Sequence, residues 1–200
     1  MTMRLSRLPC LLLGIALALL TAAPATAQQP TPPAAPSAKP AAAEPAARGQ
    51  REARNIKFGD WKKVCFKPSG AKMICRVSIN GAFDTGQDAL HIYLTEREGD
   101  SAARLQLFLP IGLYVPGGVK LTVDKGSAYK FPFKVCLTNN CIAGDVAAPA
   151  LLRAMESGKS LALEVVDNSM LAVTTSLPLA QFATVRKGAP AEVLERKIDK

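Results

Sequence analysis

A 39-residue stretch, Leu105 to Ala143, limits the folds open to this chain more than any other feature. It reads LQLFLPIGLYVPGGVKLTVDKGSAYKFPFKVCLTNNCIA and joins alternating apolar runs to Pro and Gly punctuation, β-branched and aromatic residues, and a closely spaced cysteine pair. Val119, Leu121 and Val123 alternate there with Lys120, Thr122 and Asp124. A period of two puts the apolar side chains on one face of a strand and the polar ones on the other, so the strand is half buried. Pro116-Gly117-Gly118 and Asp124-Lys125-Gly126 turn the chain at its two ends.

The same period recurs on both sides. Met73, Cys75, Val77 and Ile79 mark one apolar face, Leu90, Ile92 and Leu94 a second, Ala103, Leu105, Leu107 and Leu109 a third, and Leu161, Leu163 and Val165 a fourth. Tyr129 to Phe133 and Val135 to Leu137 add short strands around Pro132, and Leu171 and Val173 begin a return strand after the Asp167-Asn168 turn. A first strand follows Trp61, the only tryptophan, which is expected in the core. The pattern changes at Ala147 to Ser157, where Leu151, Leu152 and Met155 fall at helical spacing. Asp145 is a candidate cap for this helix, Pro149 suits its first turn and Gly158 its stop. Short strands with regular turn signals and a single helix predict an all-β sandwich, with a small barrel as the alternative.

Ahead of the domain, Arg4 and Arg7 precede an apolar run from Cys10 to Leu20 and the small residues Ala25-Thr26-Ala27, the layout of a secretory signal peptide over residues 1–27. Residues 28–54 are mostly Ala, Pro and Gln with isolated charges, and are expected to form a disordered, Pro-stiffened linker. The folded domain is placed at 55–186. Ser176 to Phe182 closes it with apolar anchors, and 187–200 is expected to be a charged, frayed tail.

Past the signal, four cysteines remain: Cys65, Cys75, Cys136 and Cys141. An even number in an exported chain reads as a disulfide framework, and four allow three connectivities. Each pair is local, and turn residues separate its members: Lys67-Pro68-Ser69-Gly70 in the first, Asn139-Asn140 in the second. The expected bonds are Cys65–Cys75 and Cys136–Cys141, each stapling a hairpin. Neither pair has the two-residue spacing of a redox-active or zinc-binding pair, and no metal or other cofactor is expected.

Loss of Arg4 and Arg7 would lower the formal charge from +9 to +7. Residues 51–76 carry eight Lys or Arg against Glu52 and Asp60. Of these, Lys57, Lys62, Lys63, Lys67, Lys72 and Arg76 form the candidate surface for an anionic partner: lipopolysaccharide, phospholipid head groups, an acidic glycan or an acidic protein. The competing reading is a solvated face that serves solubility. Nucleic acid is not expected, because the chain reads as exported.

Residues for catalysis are sparse. His91, the only histidine, alternates outward with Tyr93 and has no carboxylate or thiol beside it in the sequence. Asp84 to Asp88 lacks the oxygen ligands of a calcium loop. No G-x-S-x-G, H-E-x-x-H or phosphate-cradling glycine loop is present. A carboxylate pair drawn from Asp84, Asp88, Asp124, Asp145 and Glu164 is the one route left to an enzyme.

Phe58-Gly59-Asp60-Trp61, the block Leu109 to Leu113 with Pro116-Gly117-Gly118-Val119, Pro132-Phe133 before Cys136, and Cys141-Ile142-Ala143 together resemble the invasion-associated locus B family. Ser176 to Phe182 is similar to that family's closing segment, so the resemblance covers about residues 56–185. It implies an immunoglobulin-like β-sandwich, exported from Gram-negative bacteria, with structural cysteines, no catalytic residues to carry over, and in some members a link to host-cell invasion. The function expected is therefore that of a non-enzymatic binding module of the envelope, periplasmic, associated with the outer membrane or secreted. Its partner would be an anionic envelope or host-surface component, or an envelope protein, and peripheral membrane contact is compatible with this. The alternative is an assembly or inhibitor protein that pairs through a sheet edge.

Overall fold

The computed structural model describes residues 46–53 and 55–196; the expected signal peptide and most of the expected linker lie outside them. The first half of the chain forms β1 (Gly49–Glu52), β2 (Ile56–Phe58), β3 (Lys62–Pro68), β4 (Ile74–Phe83), β5 (Asp88–Arg97) and β6 (Arg104–Pro110). After a 3-10 turn at Val115–Gly117 come β7 (Val119–Val123), β8 (Ala128–Phe131), β9 (Phe133–Cys136) and β10 (Asn140–Val146). Helix α1 (Pro149–Ser157), β11 (Ser160–Val166), β12 (Leu171–Pro178), helix α2 (Phe182–Lys187) and β13 (Glu192–Arg196) complete it.

These strands make two facing sheets, the sandwich that the alternation predicts. The smaller runs β1-β12-β11-β7-β8, the larger β13-β3-β4-β5-β6-β10-β9, with β2 lying along the last residues of β4. Neighbours pair antiparallel except β1 with β12 and β13 with β3. The apolar rows read from the sequence face each other: Val77, Ile92, Leu94, Leu105 and Leu107 from the larger sheet, Val119, Leu121, Leu161 and Leu163 from the smaller, all buried. Both expected disulfides are present, each joining directly paired residues of adjacent strands.

One end of the sandwich is closed by the helices. Leu151, Leu152 and Met155 of α1 and Phe182 of α2 are buried there with Trp61, whose ring meets Phe182 edge-to-face at 4.9 Å. The indole N–H donates to the Pro178 carbonyl at 2.8 Å, so its one polar atom is satisfied inside the core. Arg186 links α2 to Glu96 of β5 at 2.6 Å and to Glu156 of α1.

Four expectations need correction. Residues 49–52, expected at the end of the linker, form β1. Residues 192–196, expected to fray, pair with β3 and place Val193 and Leu194 beside Cys65 and Phe66. Neither segment has a strong pattern of its own; each is ordered by an open strand edge whose backbone groups need partners. Asp145 does not cap α1: its carboxylate accepts the Val146 N–H and the Lys134 ammonium, and Ala148 holds the N-cap without a side-chain bond. The single helix expected is joined by a second, α2, which begins at the last of the apolar anchors, Phe182.

The segment from β1 to β2 crosses from one sheet to the other, since β1 pairs with β12 and β2 with β4. Its tie is Arg51, which donates to Asp167 Oδ2 at 3.0 Å while Oδ1 accepts the N–H groups of Ser169 and Leu171. The Leu171 N–H foremost, then the Arg51 guanidinium and the Ser169 N–H, hold the Asp167 carboxyl below its ordinary range against the opposing effect of burial. A depressed carboxyl stabilises the fold above its unfolded value of about 3.9 and loses that contribution as pH falls through the lower folded value. Amide protection of residues 49–53 is therefore expected to drop selectively below about pH 4, and at neutral pH in Arg51→Met. Equal protection in both cases would show that backbone pairing alone holds the strap.

Candidate functional site

The outward residues of the larger sheet's central strands are set by the same alternation that buries their neighbours. Ile92 and Leu94 point inward, so His91 and Tyr93 point out; Leu105, Leu107 and Leu109 point inward, so Arg104, Gln106 and Phe108 point out. Register then assembles three rows. Lys62, Ser78, Tyr93 and Gln106 form the central one; Val64, Arg76, Thr95 and Arg104 flank it on one side, Asn80, His91, Phe108 and Ile142 on the other.

Tyr93 is the centre of this face. Its ring lies parallel to His91 at 6.1 Å and meets Phe108 edge-to-face at 5.2 Å. The Arg76 guanidinium lies 4.7 Å from the ring centroid, within range of a cation–π contact. His91 Nε2 lies 3.3 Å from the Asp88 carboxylate. The result is an aromatic shelf rimmed by Lys62, Arg76 and Arg104, with Asn80, Ser78 and Gln106 as neutral hydrogen-bonding groups. Such a surface offers flat rings for stacking and guanidinium forks for carboxylate or phosphate oxygens.

The six basic residues singled out in the sequence separate in space. Lys62 and Arg76 share the shelf. Lys57 pairs with Asp84 at 3.0 Å and Lys72 lies 4.0 Å from Asp100. Lys63 donates to the carbonyls of Arg186 and Gly188 at 2.8 and 2.9 Å, holding the C-terminal end of α2. Lys67 stands at the end of β3, in register with Glu195. Arg104, Gln106 and Phe108 were not singled out, although Phe108 at an outward position of β6 was a readable signal.

Cys65, Cys75, Cys136 and Cys141 are all in disulfides, and among the described residues no group of three His, Cys, Asp or Glu side chains is placed to hold a metal. A family model described as "Invasion associated locus B (IalB) protein" matches residues 61–190. The chain belongs to this family. The match spans both disulfides, the shelf and both helices of this locus B protein, leaving β1, β2 and β13 outside. Among solved structures, the crystal structure of invasion associated protein b from Bartonella henselae is similar, with a TM-score of 0.57 and 19% identity over 65% of this chain and 91% of that one. At that identity the likeness shows the locus B fold alone. No curated protein sequence matches.

Proposed function

We propose that this locus B protein is an exported, non-enzymatic binding module of the envelope that recognises an acidic glycan on the outer face of its larger sheet. One observation carries the reading: Arg76, Tyr93, His91 and Phe108 are stacked into a continuous cation-edged aromatic shelf. Aromatic rings with an arginine are the side chains that contribute most to recognition surfaces. The leader-like start of the chain and the pairing of all four remaining cysteines support export to the periplasm or beyond.

Titration calorimetry of the disulfide-intact protein with polygalacturonate tests this. Tyr93→Ala and Arg76→Glu are each expected to weaken binding by about tenfold or more, as loss of a central anchor does. Raising the salt should weaken wild-type binding too, because exposed charges are screened. The double change Lys57→Glu with Lys72→Glu should have little effect, since those lysines lie off the shelf beside Asp84 and Asp100. Binding indifferent to Tyr93 and Arg76 would remove the shelf from consideration.

A second reading rests on β9, the last strand of the larger sheet among the described residues, where Val135 and, just past the strand's end, Leu137 are about half exposed at 45% and 53%. An unpaired edge with apolar side chains accepts a strand from a partner protein. A salt-resistant protein partner lost on Val135→Lys would favour it.

A further inference from the structure

At the end opposite the helices the two sheets enclose a cleft of about 820 Å³, within the range of about 300–1,000 Å³ typical of small-molecule sites. Its walls are the last inward residues of both sheets: Leu90 and Leu109 from the larger, Leu163, Val165 and Val173 from the smaller. The strap from β1 to β2 lines one side with Arg51, Ala53 and Ile56, and Ile111 stands 55% exposed at the rim.

Polar groups gather only where the strap meets β12. Arg51 is the sole cation among the described lining residues, and its Nε and Nη2 are engaged by Asp167. Asp167 is in turn satisfied by Arg51 and two backbone N–H groups. Glu52, exposed at the same opening, is the remaining charge. An anionic head would meet Glu52 beside a guanidinium already shared with Asp167, and a cationic head would find only a solvated carboxylate. Moving either charge between apolar walls is costly, whereas a hydroxyl can bond to the inward Thr175 or to Asn168 at little loss.

We infer that the cleft binds one hydrocarbon chain with an uncharged, hydroxylated head, the chemistry of a neutral single-chain lipid. The chain lies between the sheets, where each apolar atom leaves water, and the head stays at the strap. This site is separate from the shelf and does not depend on it.

Methyl NMR of the whole disulfide-intact protein with monodecanoylglycerol below its micelle concentration tests the inference. Saturable one-to-one shifts are expected at the methyls of Leu90, Leu109, Leu163, Val165 and Val173. Affinity should exceed that for decanoate and for decyltrimethylammonium by about tenfold, and Val173→Trp should reduce it by about as much. Tyr93→Ala should leave it unchanged, which separates this outcome from failure of the glycan reading. Shifts absent from those methyls, equal affinity for decanoate, or a folded Val173→Trp protein that binds as well as wild type would each overturn the assignment. If Val173→Trp does not fold, the wild-type shift map and the head-group order decide.

Discussion

Replacing Phe182 by alanine is expected to cost about 3–5 kcal/mol, the range for truncating a buried aromatic, in a domain whose whole stability is about 5–15 kcal/mol. Phe182 is fully buried and is the first residue of α2, so its ring is what seats that helix on the end of the sandwich. Besides Val185, which packs partly buried against the core, the other ties of α2 are polar: Arg186 to Glu96 and Glu156, Lys187 to Glu156, and Lys63 to the helix C-terminus. Partly exposed ion pairs of this kind contribute about 0–1 kcal/mol each, and a cation at a helix end about 0.3–1 kcal/mol. Packing therefore decides, and Arg186→Ala should cost clearly less than Phe182→Ala. Phe182→Leu keeps most of the buried area and loses mainly the edge-to-face pair with Trp61, worth about 0.5–1.5 kcal/mol. Urea unfolding followed by circular dichroism and by the fluorescence of Trp61, the only tryptophan, measures all three variants. The Phe182→Ala native state should also show red-shifted emission, because the ring that shields the indole is gone. An Arg186→Ala loss larger than that of Phe182→Ala would show that the charge network, not the ring, holds the helix.

The interior was legible because alternation alone assigns it. Val119, Leu121 and Val123 are buried wherever β7 lies in the sheet, provided that one face is covered. The termini were not, because the reason for β1 lies outside it. Gly49-Gln50-Arg51-Glu52 has no apolar residue, and it is ordered by the β12 edge and by Asp167, both far away in the sequence. The aromatic face of the larger sheet was half legible for a related reason. Alternation alone puts His91 and Tyr93 outward, but closeness along the chain does not say which basic residues share a face. Sheet neighbours are set by register, which puts Lys62 in line with Tyr93 and Gln106, while Lys63, one residue on, turns away to α2. Register depends on turn lengths and bulges such as the one at Gly81 and Ala82, which no composition count contains.

The two disulfides should differ in what their removal does, although chain entropy assigns each about 2–3 kcal/mol. Their sequence separations are 10 and 5, and a doubling of loop length is worth only about 0.6 kcal/mol. Loop entropy therefore does not separate them; their surroundings do. Cys65 is buried at 1% exposure, on a strand supported by β13 on one side and β4 on the other. The variant Cys65→Ala with Cys75→Ala loses the cross-link and leaves a space in the core, so its loss is global. With about 2–4 °C per kcal/mol for a protein of this size, loss of the cross-link alone should lower Tm by roughly 4–12 °C, and the space in the core adds to that. Cys141 is buried too, but Cys136 is exposed on β9, which among the described residues has β10 on one side and no strand on the other. Cys136→Ala with Cys141→Ala should therefore act locally. Phe133–Cys136 would open on its own, with faster amide exchange there, a smaller fall in Tm and little change in the protection of β4 to β6. A larger fall in Tm from the second pair than from the first would mean that the β9 edge is part of the cooperative core. A strand exchanging that freely at the sheet edge is also the one a partner chain could pair with at least cost, so the same measurement bears on the edge-pairing reading.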